Sequence, residues 1–378
     1  MGPLQGKRVI ELQGIGPGPF CGMMLADMGA EIIRIDRSAN VGRAANVSDI
    51  LARGRKSIGV DLKNAEGVET VLKLIDSADV VIEGFRPGVM ERLGLGPDVC
   101  HARNPKLVYG RMTGWGQFGE ISKAAGHDIN YIALSGALHA IGPKDTNPTP
   151  PLNLVGDFGG GGMLLAFGIV SALVEAAQSG EGQVVDAAMT DGSAILMNAI
   201  FGIMNRDGWS HDRGTNLLDG GAHFYGTYET ADGKYVSIGS IEPQFYALLM
   251  EKTGLDSDPD FKAQMDRNEW PQLRAKLAAV MVTKTRDEWD AIMYGTDICY
   301  APVLNFEEAT ANKHNQDRAT FVEQDGITQA APAPRFSRTE PQLPPSAVAA
   351  GQQTDEILGS LGLSDETIAA LKGSGAIA

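Results

Sequence analysis

The sequence predicts an α/β protein in which a large domain with an open parallel sheet precedes a smaller α+β domain. Short apolar segments with strand character alternate with helical segments over the first part of the chain, as in parallel strands joined by crossover helices. The character changes at residues 206–222, which contain several glycines and have no regular period. A hairpin pattern centred on Asp232-Gly233 follows, which marks the start of a different architecture.

Apolar, β-branched runs define the strands of the large domain. They fall at residues 8–12, 31–36, 57–62, 79–83, 107–112 and 184–188. Helical spacing is found at residues 65–77, 88–103, 127–139, 157–178 and 190–205. The longest apolar run, about 163–174, is shorter than the ~20 residues of a membrane span. We therefore expect it to be a buried helix.

The smaller domain is predicted from the hairpin and from the segments after it. Helical patterns cover 243–254, 269–282 and 285–293, and a strand pattern covers 299–304. Residues 328–350 are rich in proline and alanine and predict an extended connection, followed by short helices at 353–361 and 364–372. We expect a large domain over 1–205, a linker over 206–222, a small domain over 223–325, and a linker with C-terminal helices over 326–378.

Composition restricts the classes of partner. The 378 residues carry a net charge of −15, which argues against nucleic acid and against an anionic membrane, since both need a basic surface. Cys21, Cys100 and Cys299 are far apart and form no C-x-x-C motif, so neither a zinc site nor a thioredoxin-like site is predicted. Few cysteines and no secretory leader pattern are typical of a cytoplasmic protein.

A glycine- and proline-rich turn follows the first predicted strand. Gly14-Ile-Gly16-Pro-Gly18-Pro19 partly matches a dinucleotide fingerprint, and Asp36 lies where a ribose-binding acid would be expected. However, Pro19 replaces the third glycine, and prolines remove backbone N–H donors from a phosphate cradle. We therefore interpret the segment as a proline-braced turn and not as a nicotinamide site.

Basic residues cluster after the predicted strands of this acidic protein. The cluster comprises Arg37, Arg53, Arg55, Lys56, Lys63, Arg86 and Arg92. Open α/β sheets bind ligands at the carboxyl ends of their strands, and arginine and lysine bind phosphates there. The cluster predicts a nucleotide or coenzyme A site, although solvated surface charge is the alternative for each residue taken singly.

Two residues are candidates for proton transfer. His127 lies in Gly126-His-Asp-Ile-Asn-Tyr131 at a predicted helix start, and imidazole titrates near neutral pH, as a general base requires. Asp157 precedes a run of four glycines, where it could act in catalysis or simply cap a helix. The N–H groups of residues 157–162 are candidate donors to an anion.

Several of these motifs, in this order, resemble those of the α-methylacyl-CoA racemases of the class III CoA-transferase superfamily. The resemblance is carried by Gly126–Tyr131, by Pro151-Leu-Asn-Leu-Val-Gly-Asp-Phe-Gly-Gly-Gly, by Met112-Thr-Gly-Trp-Gly-Gln, by Leu218-Asp-Gly-Gly and by Ile241-Glu-Pro-Gln-Phe. It covers roughly residues 4–338. Gly221-Ala-His223-Phe-Tyr and Asp297-Ile-Cys-Tyr-Ala-Pro depart from the family's usual residues, which leaves the acyl-chain preference open.

The resemblance assigns roles to individual residues. It implies that His127 and Asp157 transfer protons and that Glu242 hydrogen-bonds the histidine across a dimer. It implies that coenzyme A contacts a larger set of residues, namely Arg37, Val60, Asp61, Leu62, Lys63, Arg92, Gly126, His127, Asp128, Ile129, Asn130 and Tyr131.

The resemblance also implies an activity. A racemase would interconvert (2R)- and (2S)-2-methylacyl-CoA thioesters in lipid metabolism, by 1,1-proton transfer through an enolate and without a metal or redox cofactor. Coenzyme A would enter as part of the substrate. Two alternatives are a class III CoA-transferase with Asp157 as nucleophile and a non-catalytic acyl-CoA-binding protein.

The architecture implied by the resemblance is an interlocked homodimer. A Rossmann-like large domain would be joined by long linkers to the small domain, and the C-terminal segment would return to the large domain. Met189, Met197 and Met204 would then form either an adaptable surface for acyl chains or ordinary core. No nucleic acid or membrane is expected among the partners.

Overall fold

The computed structural model describes residues 2–378 of the chain. Over this range it contains the strands β1 Arg8–Leu12, β2 Glu31–Arg37, β3 Arg55–Val60, β4 Val80–Glu83, β5 Val108–Thr113, β6 Val184–Ala188, β7 Tyr225–Glu229, β8 Tyr235–Gly239, β9 Tyr300–Val303, β10 Phe321–Gln324 and β11 Ile327–Ala330. These strands form three separate sheets.

Helices make up most of the remaining regular structure. They are α1 Pro17–Asp27, α2 Ala65–Ile75, α3 Val89–Arg92, α4 Pro97–Arg103, α5 Asp128–Leu134, α6 Ala137–Ala140, α7 Leu164–Ser179, α8 Met189–Leu196, α9 Asn198–Met204, α10 Pro243–Thr253, α11 Trp270–Met281, α12 Arg286–Met293, α13 Phe306–Ala311, α14 Lys313–Asp317, α15 Thr354–Ser360 and α16 Asp365–Gly373. A π-helix at Leu154–Met163 runs directly into α7, and short 3₁₀ turns occur at Ser38–Asn40, Ile50–Ala52 and Pro259–Lys262.

The chain divides into two compact units. The first comprises the residues up to Ser135 together with Leu152–Leu196 and Ala319–Ala378. The second comprises Gly136–Pro151 and Met197–Arg318.

A six-stranded sheet forms the centre of the first unit. Its strand order is β3-β2-β1-β4-β5-β6, and every neighbouring pair is parallel. The strand order reverses between β1 and β4, which is the place where a doubly wound sheet opens a crevice for a ligand. The predicted α/β fold with a parallel sheet and a smaller antiparallel sheet is therefore confirmed.

Both faces of this sheet are apolar, because adjacent strand residues point to opposite sides. On one face, Val9 lies in a hydrophobic core with Leu25 of α1 and Ile169 of α7. Ile10 packs on the other face with α2 and the C-terminal helices, through Val71 and Ile357. The resulting three layers explain why the strands read as continuous apolar runs.

Several predicted helices are broken or changed in the structure. The pattern at 88–103 is interrupted between α3 and α4, where Gly94 has a φ of 75°. The pattern at 127–139 is interrupted at Gly136, whose φ is 86°. Both angles lie in the left-handed region that glycine adopts without strain. The pattern at 190–205 likewise divides into α8 and α9.

The π-helix is a feature that the sequence analysis did not predict. It packs closely against α8, and a Cβ on Gly192 would lie 1.8 Å from the carbonyl oxygen of Gly160. Only glycine at both positions permits this backbone approach. The glycine run therefore serves helix packing in the first unit.

The two units differ from the predicted domain boundaries. Residues 136–151 belong to the second unit, where the Arg213 guanidinium donates to the carbonyls of His139 and Thr146. The hairpin of β10 and β11 belongs to the first unit, because the buried Arg53 donates to Gln329 and to the carbonyl of Ala330. Residues 197–205, which were predicted in the large domain, and the predicted linker at 206–222 lie within the second unit.

The second unit has its own core. Its antiparallel sheet has the order β7-β8-β9, which includes the predicted hairpin. Helices α10, α11 and α12 contribute buried side chains such as Leu249, Leu277 and Trp289.

His223 is fully buried in this core. Its Nε2 lies 2.8 Å from the Tyr246 hydroxyl, and that hydroxyl donates its own proton to the carbonyl of Phe261. Nε2 must therefore be the donor to Tyr246, which leaves Nδ1 unprotonated and without a partner among the described residues. Burial lowers the pKa of His223 to about 4.

We expect acid to destabilise the second unit through His223. The unfolded histidine binds a proton below about pH 6.5, whereas the folded one does not until about pH 4. The neutral, buried His223 therefore contributes up to about 3 kcal/mol to the free energy of unfolding above pH 6.5, relative to acid. This contribution is lost as the pH falls towards 4. Thermal unfolding at pH 7.5 and pH 5 checks this. His223→Gln should flatten the pH dependence, whereas exposed His211→Gln should leave it unchanged; equal slopes for both variants would contradict the assignment.

The helical stretch Leu154–Ser179 is longer than the apolar run at about 163–174. Its 26 residues have a mean hydropathy of 1.7 in their most apolar window, and by length and composition alone it could cross a membrane. Leu165 and Ile169 are buried against the sheet, as expected. The opposite face is exposed, so the helix is only partly the buried helix that was predicted. We call this face the apolar stripe; it consists of Met163, Phe167, Val170 and Val174.

Candidate active site

A cavity of about 670 Å³ opens at the carboxyl edge of the parallel sheet, entirely within the first unit. It is lined by the segments that follow β1, β4 and β5 and by the end of β2. These elements flank the point where the strand order reverses. The location agrees with the ligand position of open α/β sheets.

The proline-rich turn after β1 forms one wall of the cavity. Gly16 has a φ of 67°, and α1 begins immediately after it at Pro17. The carbonyl of Pro19 accepts a 2.6 Å hydrogen bond from the Arg55 guanidinium. The interpretation of this segment as a braced turn agrees with these contacts.

His127 lies on the cavity at the N-terminus of α5. Its backbone N–H donates to the Asn130 side chain at 3.0 Å, and its carbonyl accepts the N–H of the same residue at 2.8 Å. The backbone of His127 is thus fixed by its own helix. Its side chain is exposed, as a base that must reach a substrate requires.

Tyr131 fixes the loop that carries His127. Its hydroxyl donates to the carbonyl of Gly126, and its ring meets Trp115 edge-on with 4.8 Å between the centroids. A Cβ on Gly114 would lie 2.1 Å from this ring. The glycine in Met112-Thr-Gly-Trp is therefore required for the tyrosine to pack against β5.

Asp157 lines the same cavity from the π-helix. Its carboxyl oxygen Oδ2 accepts a 3.1 Å hydrogen bond from Asn153, and Oδ2 would lie 3.4 Å from a Cβ on Gly16. Burial raises the pKa of Asp157, and the charge of Asp128 raises it further, while Asn153 and His127 lower it. A raised pKa is the direction that a carboxyl group needs in order to donate a proton near neutral pH.

The predicted anion donors at residues 157–162 do not fit the structure. The N–H of Asp157 donates to the Asp128 carboxylate at 2.7 Å, and the N–H of Phe158 donates to the carbonyl of Asn153 at 3.3 Å. The segment lies inside the π-helix and not at its first residue. These two amides therefore have acceptors and are not free for a ligand.

Only part of the predicted basic cluster lies on the cavity. Arg37 and Arg86 line it and are exposed. Arg86 follows β4 and was not among the coenzyme A contacts implied by the resemblance. Its position just after a predicted strand was the sequence signal that placed it in the basic cluster. Lys63 and Arg92 are exposed but do not line the cavity, so their contact with coenzyme A remains a prediction.

Three other basic residues are engaged in ion pairs. Arg53 is buried and pairs with Asp27, and Arg55 is buried and pairs with Glu11. Lys56 pairs with Glu31 and Glu356. The expectation that Arg53 and Arg55 bind phosphate is wrong, because both are buried and their charges are neutralised by carboxylates. Lys56 is partly exposed and does not line the cavity, so its contact with a phosphate remains a prediction.

The remaining predicted contacts lie outside the cavity lining. Val60 ends β3 and forms a β-bridge with Ile377 of the C-terminal segment. Asp61, Leu62 and Lys63 follow the strand, and the N–H of Asp61 donates to the carbonyl of Ala376. Asp128, Ile129 and Asn130 lie on α5 next to the lining residues Gly126, His127 and Tyr131. Glu242 lies in the second unit, just before α10, and its role stays a prediction. Among residues 2–378, no His, Cys, Asp or Glu side chains form a group of three that could hold a metal ion.

The fold and the cavity together define a doubly wound α/β protein with a histidine, a carboxyl group and two arginines at one site, and neither arginine forms an ion pair within residues 2–378. The sequence pattern of CoA-transferase family III matches residues 4–354. The chain therefore belongs to this family.

Relatives with named activities cover almost the whole chain. It is 48% identical to the α-methylacyl-CoA racemase of Mus musculus, over 97% of this chain and 95% of that protein. It is 45% identical to the α-methylacyl-CoA racemase of Homo sapiens, with the same two coverages. Among solved structures, a CAIB/BAIF family protein from Brucella suis superposes with a TM-score of 0.80 at 25% identity, over 95% of this chain and 99% of that one. The resemblance noted in the sequence is thereby confirmed.

Proposed function

We propose that this protein is an isomerase that interconverts the (2R) and (2S) forms of 2-methylacyl-CoA thioesters. The observation that carries the proposal is that His127 and Asp157 line one cavity together with Arg37 and Arg86. Its high identity to two racemases, over nearly the full length of each, supports the same activity.

The proposed reaction matches the chemistry of these groups. A proton on carbon 2 becomes acidic enough to remove only when the acyl group is a thioester, because the carbonyl must accept the charge as an enolate. One group removes the proton from one face, and the other returns a proton to the opposite face. His127 is exposed to the cavity as a base, and Asp157 has a pKa raised mainly by burial, which suits a proton donor. In the reverse direction the two groups exchange roles.

Two alternatives make different use of Asp157. A CoA-transferase would use it as a nucleophile and form a mixed anhydride. A transferase that works through this nucleophile has no need of a histidine base in the same cavity. A non-catalytic acyl-CoA-binding protein would need neither residue. The racemase proposal uses both.

Deuterium incorporation distinguishes these possibilities. Pure (2R)- or (2S)-2-methylacyl-CoA is incubated with the protein in deuterated water, and the mass and chirality at carbon 2 are followed. The proposal expects inversion with one deuterium gained. Transfer of CoA to an added free acid without deuterium would establish the transferase, and binding without either change would establish the binding protein.

Arg37→Ala should weaken CoA binding about tenfold, because one charge-assisted hydrogen bond to a phosphate is lost. The same loss is expected for Arg86→Ala, since both arginines line the cavity and lie in no ion pair within the described residues. Calorimetric titration with CoA at low and high salt measures the effect, which should shrink at high salt. The paired residue Arg103 provides a control: Arg103→Ala should bind CoA like the wild type. Wild-type affinity in both cavity variants would place the phosphates elsewhere.

The active form proposed is a homodimer. The apolar stripe supports this, because four large side chains repeat along one exposed face at the spacing of a helix-packing surface. Phe167→Asp should yield monomers in sedimentation experiments, since the charge would be buried at the interface, whereas Glu175→Lys, on another exposed face of the same helix, should remain dimeric. A dimeric Phe167→Asp variant would remove the stripe from the interface.

A further inference from the structure

The Asp128 side chain connects the two proposed bases. Asp128 directly follows His127 in the chain and is the first residue of α5. Its Oδ1 accepts the backbone N–H of Asp157 at 2.7 Å. His127 is the residue before Asp128, and the Asp157 amide is bonded to the Asp128 side chain. This hydrogen bond therefore joins α5, which begins next to His127, to the π-helix that carries Asp157.

The backbone around Asp157 accommodates this contact closely. A Cβ on Gly156 would lie 2.3 Å from Asp128 Oδ1. Any other residue at position 156 would force the carboxylate away from the Asp157 amide. The hydrogen bond is therefore built into the local packing of α5 against the π-helix.

The second oxygen of Asp128 has an unusual environment. Asp128 is only 7% exposed, and its Oδ2 is buried without a hydrogen-bond partner among the described residues. A buried oxygen without a partner costs folding free energy. An amide oxygen would accept the same N–H without burying a charge, so the distinguishing property of aspartate here is its negative charge.

We propose that Asp128 is a positioning residue for the proton transfer: it fixes the backbone of Asp157 relative to His127 and places a fixed negative charge beside the Asp157 carboxyl group. This inference rests on the proposed racemase function. It gives Asp128 a role that is separate from the CoA contact implied by the resemblance.

The groups around Asp157 determine the sign of the charge effect. Asp128 raises its pKa, whereas Asn153 and the His127 ring lower it, and burial makes the largest contribution. The Tyr131 phenol on α5 also interacts with Asp157, and Gly16 at the start of α1, which approaches the Asp157 carboxyl group, carries no charge. Removing the charge of Asp128 should therefore lower the pKa of Asp157. Less of it would be protonated at a given pH, and its activity as a base would extend to lower pH.

Asp128→Asn separates the charge from the hydrogen bond, because the amide oxygen can still accept the N–H of Asp157. We expect this variant to keep the cavity geometry and to shift the pH profile of deuterium exchange to lower pH on the limb that Asp157 controls. Asp128→Ala loses both effects and should slow exchange of both enantiomers about 10²-fold, as misplaced catalytic groups do. Asp186→Asn is the control, since Asp186 on β6 likewise accepts a backbone N–H, that of Gln117 at 3.1 Å, but does not line the cavity. It should retain the wild-type profile.

A second readout does not depend on activity. The carboxyl carbons of ¹³C-labelled aspartate are titrated by NMR, and Asp157→Asn identifies the Asp157 signal. A lower titration midpoint in Asp128→Asn supports the proposal, and an unchanged midpoint together with an unchanged exchange profile overturns it. If the wild type exchanges no deuterium, the racemase function fails, while the NMR titration still tests the effect of Asp128 on Asp157.

Discussion

Replacing either proposed base should abolish racemisation while sparing a stereospecific half-reaction. His127→Ala should still allow Asp157 to exchange the proton of one enantiomer, and Asp157→Ala should still allow His127 to exchange the proton of the other. Each loss should be large, because general acid–base groups contribute about 10²–10⁴-fold. The expected stereospecificity follows from the proposed mechanism, in which the two groups act on opposite faces of carbon 2. Deuterium exchange measured on each pure enantiomer, without requiring inversion, tests this.

Controls separate chemistry from folding. Asp157→Asn keeps the size and the hydrogen-bonding shape of the side chain and should behave like Asp157→Ala. His314→Ala changes an exposed histidine on α14 and should retain full activity. If one variant loses all exchange and the other loses little, a single residue reaches both faces. If both variants exchange both enantiomers equally, the assignment of His127 and Asp157 to opposite faces is wrong.

The bounds of a strand could be predicted where the strand consists of apolar residues. They were predicted less accurately where the strand contains a buried charged residue. The prediction at residues 8–12 coincides with β1. The strand predicted at 57–62 begins two residues too late, because β3 starts at Arg55, which is paired with Ile32 of β2. A hydropathy pattern excludes such a residue from a buried strand. Here Arg55 is buried because Glu11 on β1, on the far side of β2 in the sheet, neutralises it, a contact that joins residues far apart in sequence.

The candidate site was predictable in its chemistry but not in its supporting contacts. His127 and Asp157 were identified as residue types in suitable local motifs, and the structure brings both to one cavity. The hydrogen bond from the Asp157 N–H to Asp128 joins residues 29 positions apart and leaves no local sequence signal. The π-helix was likewise unpredictable, because a run of glycines has no side-chain period from which to infer helical type.

The buried pair of Arg55 and Glu11 is expected to be a major source of stability in the first unit. Both side chains are at most 1% exposed, and Arg55 Nε lies 2.9 Å from Glu11 Oε2. Glu11→Ala would leave a guanidinium charge buried without a counter-ion, which costs about 3–5 kcal/mol. Denaturant unfolding measures this loss. The exposed pair of Lys313 and Asp317 offers a matched comparison, and Lys313→Ala should cost no more than about 0.5 kcal/mol.

A double replacement tests whether the cost comes from the unpaired charge. Glu11→Leu combined with Arg55→Met removes both charges and keeps an apolar volume, so the free energy of unfolding should recover most of the loss seen in Glu11→Ala. The double variant should nevertheless slow exchange of both enantiomers, because Arg55 also donates to the carbonyl of Pro19 in the turn that lines the cavity. Stability restored without activity would thus separate the two roles of Arg55. A Glu11→Ala variant as stable as the wild type would instead mean that the ion pair with Glu11 is not what stabilises the buried Arg55.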